Sequence, residues 1–355
     1  MRVWRGGAAA AACLLGSCGG ARGLQHSAAA ATPRVRARAT AASASAVPLP
    51  SLPTDRHQVL ALDFDGVICA SSGESSYTSV LAACSFWPKD VVVPLKSQEF
   101  ATIQAGVHQL RPIVETGYEN MLLVRRLYDE MKKTGKSPDV ASLLGAWSPV
   151  MRDELLAAYG SDKETMIRVF GAARDALIAQ DLDFWVRLNE VYPWALAAMR
   201  QQPLDYTIVT TKQARFVEAI LTQNRIAPPN KDKLFDLENP FGPKTRVLQA
   251  MLRGLPATST LTVQQMLDTP LLPPSARPMI HFVEDRVETL QAILQVPELR
   301  DNTKLYLVEH GYNTAEQRAL ARQSGGAMQL ISPNTFQELL GQFTRSSSSS
   351  DGSSS

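Results

Sequence analysis

Two carboxylates, one residue apart at the end of an apolar segment, are the feature of this sequence best suited to chemistry. Residues 59–62 are all apolar and lead directly into Asp63, Phe64, Asp65 and Gly66. Side chains two apart in an extended segment point to the same side, so both carboxylates should converge at the end of a buried strand. A divalent cation would relieve their repulsion, and Mg²⁺ prefers carboxylate oxygens. An Asx-rich turn after a strand is the competing interpretation.

Two further apolar segments end on polar side chains. Residues 279–283 lead into Glu284 and Asp285, and residues 206–209 lead into Thr210 and Thr211. In an open α/β sheet, ligands bind outside the carboxyl ends of the strands. We therefore expect these side chains to lie at the same edge of one sheet.

The elements that must position these residues alternate between strand and helix. Short apolar segments rich in β-branched residues predict strands over residues 59–63, 206–210, 279–283, 304–308 and 328–331. Helical patterns follow several of them, over residues 214–223, 244–253, 287–294 and 315–323. This alternation is typical of an α/β fold with a doubly wound, Rossmann-like parallel sheet.

The interval between residues 80 and 190 has a different character. Residues 118–133, 149–159 and 163–179 are helical in pattern or composition, and only residues 91–95 read as a possible short strand. The sheet pattern resumes at Pro193, which is expected to open a helix. The sequence thus predicts a helical insertion after the first strand.

The segment that contains the two carboxylates resembles a motif of a known family. The segment Asp63-Phe64-Asp65-Gly66-Val67 is similar to motif I of the haloacid dehalogenase-like (HAD) phosphohydrolases. The resemblance implies that Asp63 is a nucleophile and Asp65 a general acid/base. It also implies that the insertion is an all-helical cap of the C1 type.

Motifs II and III of the same family have counterparts here. Thr210, with Thr211 as the fallback, resembles the motif II residue that donates a hydrogen bond to the phosphoryl oxygen. Lys244 at the start of a predicted helix resembles the motif III lysine. A cation at a helix N-terminus is unfavourable without an anionic partner, which favours a functional lysine there. Lys212 and Lys231 are rival candidates.

Glu284 and Asp285 resemble motif IV. The resemblance implies metal coordination by Asp63, Asp65, Asp285 and Glu284, whereas Glu288 falls short of the spacing of the family's later aspartate. The cofactor expected is Mg²⁺.

Together these motifs predict a Mg²⁺-dependent phosphatase of a small phosphorylated metabolite, which acts through a phosphoaspartate. A HAD-fold phosphomutase and a non-catalytic, HAD-like interaction protein remain alternatives. The predicted organisation is a core of residues 55–80 and 190–343, with a cap of residues 81–189.

Substrate selection should reside in the insertion and in the segment 71–76 after motif I. Arg111 could clamp a substrate anion, or it could pair with Glu115 or Glu119 within the cap. Thr211 is a second candidate for substrate binding. The serine-rich segment 71–76 is expected to be a flexible loop.

The overall composition argues against nucleic-acid binding, a membrane span and a disulfide or zinc framework. The chain has 355 residues, is 45% hydrophobic and carries a formal net charge of +2, so it offers no electrostatic case for nucleic acid. No apolar segment approaches the length of a membrane span. Four cysteines, two of them in the N-terminal segment, give neither a disulfide framework nor a zinc cluster.

The two ends differ from the rest of the chain. Residues 1–54 contain no Asp, Glu or Lys but have six arginines among many alanines and serines. That composition is typical of an organellar transit peptide, and residues 35–39 resemble a stromal processing site. We expect a chloroplast location, with the mitochondrion as the alternative. The serine-rich residues 344–355 are expected to be disordered.

Overall fold

A six-stranded parallel sheet forms the centre of the protein. The computed structural model describes residue 52 and residues 56–201 and 204–344. The predicted transit peptide, apart from Leu52, lies outside the described residues, as does the serine-rich tail beyond Thr344. The described strands are β1 (Gln58–Leu62), β2 (Cys69–Ala70), β3 (Glu190–Val191), β4 (Thr207–Val209), β5 (Leu234–Phe235), β6 (Met279–Glu284), β7 (Thr303–Val308) and β8 (Gln329–Ile331).

The order of the strands places β1 and β6 side by side in the middle of the sheet. That order is β5-β4-β1-β6-β7-β8, and every neighbouring pair is parallel. The chain winds outward from β1 to β5, then returns to β6 and winds the other way. The fold is thus a doubly wound α/β sheet as predicted, with its topological switch point between β1 and β6.

Burial on both faces explains why β1 is continuously apolar. Leu60, Ala61 and Leu62 are fully buried. Leu62 is in register with Ile208 of β4 on one side and with Val283 of β6 on the other. The carboxylates that follow β1 and β6 therefore reach the same edge of the sheet.

The helical insertion lies between β2 and β3, which pair with each other in antiparallel fashion at its base. Its helices are α1 (Ser72–Phe86), α2 (Gln98–Gln109), α3 (Glu119–Thr134), α4 (Val140–Ala146), α5 (Pro149–Ala158), α6 (Lys163–Gln180) and α7 (Leu182–Arg187). A 3₁₀ turn, Arg111–Ile113, precedes α3. The insertion has its own apolar core, in which Ile103, Met121 and Leu127 are fully buried.

The remaining helices belong to the sheet half of the chain. They are α8 (Pro193–Gln201), α9 (Ala214–Gln223), α10 (Lys244–Met251), α11 (Val263–Asp268), α12 (Val287–Leu294), α13 (Pro297–Arg300), α14 (Ala315–Gln323) and α15 (Pro333–Gly341). A second 3₁₀ turn, Lys231–Lys233, precedes β5. No described helix is long and apolar enough to cross a membrane.

Two local predictions are wrong. Residues 91–95 form no strand but an irregular segment between α1 and α2. The apolar residues that suggested a strand, Val91 and Val93, are buried in this segment. The serine segment is not a flexible loop: α1 begins at Ser72, and Ser75 and Ser76 are buried within it. Helix α1 also crosses the predicted boundary between core and cap at residue 80.

The two described cysteines form no disulfide: Cys69 and Cys84 are free and buried.

The sheet contains a buried histidine that predicts acid sensitivity. His281 Nδ1 lies 2.9 Å from Tyr306 Oη, and Nε2 lies 2.9 Å from Gln58 Oε1. Burial, followed by repulsion from Lys304, lowers the pKa of His281 from 6.5 to about 4. As the pH falls from 6.5 to about 4, His281 binds a proton in the unfolded chain but stays neutral in the folded protein. The free energy of unfolding should fall by up to about 1.4 kcal/mol per pH unit for this group.

Urea unfolding across that pH interval checks this expectation. The His281→Gln variant should lose stability less steeply than the wild type as the pH falls toward 4. Equal slopes in the two proteins would contradict the assignment. Above the interval, the difference between the two proteins should no longer change with pH.

Candidate active site

The topological switch point brings together the acids that the sequence singled out. Asp63 directly follows β1, while Glu284 ends β6 and Asp285 follows it. The backbone N–H of Asp63 donates to the carbonyl of Val283 at 2.9 Å, which fixes the two strand ends against each other. Residues more than two hundred positions apart in sequence thus share one site.

Asp63, Glu284 and Asp285 form a buried carboxylate cluster. One oxygen from each lies within 4.8 Å of the others, and none of the three residues is more than 5% exposed. Burial, with repulsion from Glu284, raises the pKa of Asp63 to about 7. Burial and then Asp63 likewise raise the pKa of Asp285. The cluster concentrates negative charge that a cation would stabilise.

Lys244 supplies part of the balancing charge. Its Nζ lies 2.9 Å from Asp63 Oδ2 and 2.7 Å from Glu284 Oε2. Burial alone would lower the pKa of Lys244, but Asp63 and Glu284 outweigh it and raise the pKa, so the lysine is charged. The anionic partner expected for a lysine at a helix N-terminus is therefore present.

The donor set fits a hard divalent cation at Asp63 and Asp285. Both oxygens of Glu284 are engaged, Oε2 by Lys244 and Oε1 by the backbone N–H groups of Asp285 and Arg286. The Glu284 carboxylate therefore orients Lys244 and the loop after β6. The carboxylates of Asp63 and Asp285 lie within shared-ion reach, and their oxygens are the ligand type that Mg²⁺ prefers.

Asp65 lies apart from this cluster and belongs to a second group of charges. Its Oδ1 lies 3.2 Å from Lys212 Nζ, which is 3.8 Å from Glu74 Oε2. Glu74 in turn accepts two hydrogen bonds from Arg174, at 2.8 and 2.7 Å. Burial opposes ionisation of Asp65, but the Lys212 and Arg111 cations outweigh it and hold its pKa below the usual range. Asp65 is thus ionised in the free protein.

Gly66 permits the close approach of the two acidic loops. Its φ is +83°, in the left-handed region, and a Cβ there would overlap the Asp285 carboxylate and approach the Tyr312 ring. A Gly66→Ala variant should lose at least about 2 kcal/mol of unfolding free energy, measured in urea. Gly135→Ala is the matched control. It has a φ of +66° but no atom within 4 Å of the added Cβ, so it should lose only about 1 kcal/mol. Equal losses would show that the crowding has no effect.

A cavity of about 400 Å³ opens over the strand ends. Asp63, Asp65, Asp285, Thr210 and Lys244 all line it. Thr210 is buried, and its Oγ1 accepts a hydrogen bond from the Lys212 N–H at 3.2 Å. The cavity has room for a phosphate group together with a small organic residue.

The insertion contributes the opposite wall of this cavity. Arg111 and Thr116 line it, and Thr211 Oγ1 donates to the carbonyl of Glu115 at 2.9 Å across the boundary. Arg111 Nη1 donates to the carbonyl of Val114, and its guanidinium lies 4.3 Å from the centre of the Tyr312 ring. The charged end of Arg111 is therefore held near the acids of the sheet.

Sequence reasoning missed several residues of the site. Arg286 lines the cavity, and its Nε and Nη1 are buried without a hydrogen-bond partner among the described residues. Its position directly after the acidic pair was the available signal. No recognised motif adjoins Glu74, Arg174 or Tyr312 in the sequence. Only folding brings these three residues to the site.

Two residues left open by the sequence are now placed. Lys231 lines a different cavity, with Arg215 and Glu218, whereas Lys244 contacts Asp63 directly. Glu288 lines the main cavity, but its Oε1 accepts a hydrogen bond from Gln317 Nε2 at 2.6 Å.

No family model matches the sequence, and no curated protein matches it. A solved structure described as a predicted phosphoglycolate phosphatase from Haemophilus somnus 129pt is 17% identical, with a TM-score of 0.43, over 81% of this chain and 99% of that chain. A predicted phosphatase from Clostridium acetobutylicum is 14% identical, with a TM-score of 0.42, over 80% and 98%. A haloacid dehalogenase-like family hydrolase from Streptococcus pneumoniae is 11% identical, with a TM-score of 0.40, over 81% and 99%. TM-scores this low carry no inference about function.

Proposed function

We propose that the protein is a Mg²⁺-dependent phosphatase of the HAD type, acting on a small phosphorylated metabolite. The observation that carries the proposal is the position of Asp63. This carboxylate lies at the switch point, 2.9 Å from Lys244 Nζ and within shared-ion reach of Asp285, and it faces a cavity of about 400 Å³. A structural carboxylate would not need two acidic neighbours.

The chain's own residues account for the orientation of a phosphate dianion. Lys244 offers one cation to the phosphoryl oxygens, and Thr210 offers a hydroxyl from the end of β4. Asp63 and Asp285 would hold Mg²⁺, which when bound neutralises the dianion and polarises the phosphorus–oxygen bond. These groups are fixed before the substrate arrives, so little reorganisation accompanies the reaction.

The reaction then proceeds in two displacements. The approach of the phosphate dianion raises the pKa of Asp65, which therefore takes up a proton as the substrate binds. An Asp63 oxygen then attacks phosphorus while the bond to the leaving oxygen breaks, and Asp65 donates this proton to that oxygen. The acyl phosphate on Asp63 is a reactive anhydride. Asp65, now ionised, accepts a proton from water as the water attacks phosphorus, which returns Asp63 and releases phosphate.

The insertion is proposed to act as a cap that selects the substrate. Arg111 and Arg286 present guanidinium groups to the cavity, and the Thr211 contact with Glu115 joins the two halves of its wall. A cavity of this size suits a metabolite rather than a phosphoprotein.

Phosphate release from a panel of phosphorylated metabolites tests the proposal. Release should require a divalent cation, stop on addition of a chelator, and resume when Mg²⁺ is restored. If a chelator leaves phosphate release unchanged, the proposed requirement for Mg²⁺ is refuted. If the protein releases phosphate from no monoester of the panel, the proposed phosphatase activity is refuted. Mass spectrometry of a rapidly quenched reaction should find the phosphoryl group on the peptide that contains Asp63.

We also propose that residues 1–54 direct the protein to the chloroplast. The support is their acid-free, arginine-rich composition. A fluorescent protein carrying only this segment should accumulate in plastids. Accumulation in mitochondria would favour the alternative, and a cytosolic signal would refute both.

A further inference from the structure

A second, much smaller cavity lies beside Asp65. Its volume is about 20 Å³, and its lining comes from both halves of the chain. Asp65 and Lys212 follow the sheet strands β1 and β4, while Arg111 lies in the 3₁₀ turn of the insertion and Asn120 lies in α3. This volume accommodates a single water molecule and is too small for a phosphate or a metabolite.

Four buried polar atoms of these side chains have no hydrogen-bond partner among the described residues. They are Asp65 Oδ1, Arg111 Nε, Asn120 Oδ1 and Lys212 Nζ. The ion pair of Lys212 with Asp65 leaves both of these atoms without a well-directed hydrogen bond. Buried polar atoms in folded proteins nearly always have a hydrogen-bond partner, so four such atoms around one cavity indicate a shared ligand.

The orientation of Asn120 is fixed by its own contact. Its Nδ2 donates to the carbonyl of Gly117 at 2.9 Å, so the amide oxygen must be the atom on the other side. Asn120 is also only 1% exposed. The unpartnered atoms of the lining residues are therefore two donors, from Arg111 and Lys212, and two acceptors, from Asp65 and Asn120.

We propose that this cavity is a specific site for one buried water molecule. Water accepts two hydrogen bonds and donates two, which matches the two donors and two acceptors. A metal or ammonium ion would face two cations, and a halide could not donate to Asp65 or Asn120. Water is the small ligand whose hydrogen bonds match all four atoms.

The bound water joins the cap to the general acid/base. It receives hydrogen bonds from Lys212 and Arg111 and donates to Asp65 and Asn120, so the Asp65 carboxylate is held by both halves of the chain. Asn120 is then a positioning residue that acts on Asp65 through the water. This role rests on the proposed phosphatase function, whereas the water site itself does not.

A high-resolution crystal structure of the protein tests the site directly. The expected result is one well-ordered water within hydrogen-bond distance of all four atoms. The site is refuted by the absence of density there or by density for an ion. If the water is present in a protein without phosphatase activity, the site stands and the proposed function falls.

A pair of matched variants tests the positioning role. Asn120→Leu removes the acceptor, and Asn189→Leu is the control. Asn189 is also 1% exposed, donates from Nδ2 to a local carbonyl and has an unpartnered Oδ1, but it does not line this cavity. In Asn120→Leu, kcat should fall roughly tenfold to a hundredfold with little change in KM.

Asn189→Leu should leave kcat close to the wild-type value, although both variants lose stability. Equal effects of the two substitutions on kcat would refute the positioning role. So would a change in Asn120→Leu that is confined to KM.

Discussion

Replacement of Asp63 by asparagine is expected to reduce phosphate release by at least about 10⁴-fold, because it removes the nucleophile and also the negative charge that faces Lys244 and the proposed Mg²⁺. The amide has the same shape as the carboxylate, but its weakly nucleophilic oxygen cannot form the acyl phosphate. Steady-state release of phosphate, assayed with Mg²⁺ and the best substrate of the panel, measures the loss. Mass spectrometry of the quenched variant should find no phosphoryl group on the peptide.

Two further variants make this result specific. Asp153→Asn, at an exposed aspartate of α5, should retain full activity. Asp65→Asn should also lose activity on ordinary monoesters. With p-nitrophenyl phosphate, however, its phosphoaspartate should still form, because that leaving group needs no proton. Near-normal turnover in the Asp63→Asn protein would show that phosphorus is attacked by another group.

Replacement of Arg174 by methionine is expected to lower the unfolding free energy by about 3–5 kcal/mol. Arg174 makes two hydrogen bonds to Glu74, whose side chain is fully buried. The methionine would leave that carboxylate with one neutral donor, the Thr78 hydroxyl at 2.8 Å, and the more distant Lys212 as its nearest cation. Glu74 is held ionised in the folded protein, because Arg174 and Lys212 lower its pKa against the effect of burial. Urea denaturation gives the free energy.

Arg215→Met is the matched control for Arg174. Arg215 also makes two hydrogen bonds to one carboxylate, that of Asp175, and also stacks on Phe216. Its side chain is 45% exposed, however, so we expect a loss of no more than about 1 kcal/mol. The double variant Glu74→Gln/Arg174→Met should be more stable than Arg174→Met alone. If the two arginine variants lose equal unfolding free energy, burial of the ion pair does not determine how much it contributes to stability.

Most of the sheet could be predicted because its strands are buried on both faces. The predicted strand 59–63 corresponds to Gln58–Leu62, and 279–283 to Met279–Glu284. Strand Leu234–Phe235 was missed, since two residues are too few to establish a pattern. Helix α1 was also missed, because much of its buried surface consists of serines, Thr78 and Glu74, so no apolar periodicity marks it. Its buried serine hydroxyls are satisfied by carbonyls three residues earlier.

The candidate site divides in the same way. The acids at the ends of β1 and β6 could be found from sequence, because each follows an apolar strand. The partnership of Glu74 with Arg174 spans 100 positions and leaves no local trace. Arg111 was noticed as a cation of the insertion, but its stacking on Tyr312 depends on how the insertion folds against the sheet.

The central position of β1 has a consequence for the synthesis of the protein. β1 is the first of the sheet strands to leave the ribosome, yet its neighbour β6 follows more than two hundred residues later. At translation rates of roughly 5–20 residues per second, one edge of this very apolar strand stays unpaired for on the order of 10–40 s. An open edge of that kind invites association with other chains, so we expect the nascent protein to depend on chaperones until β6 emerges.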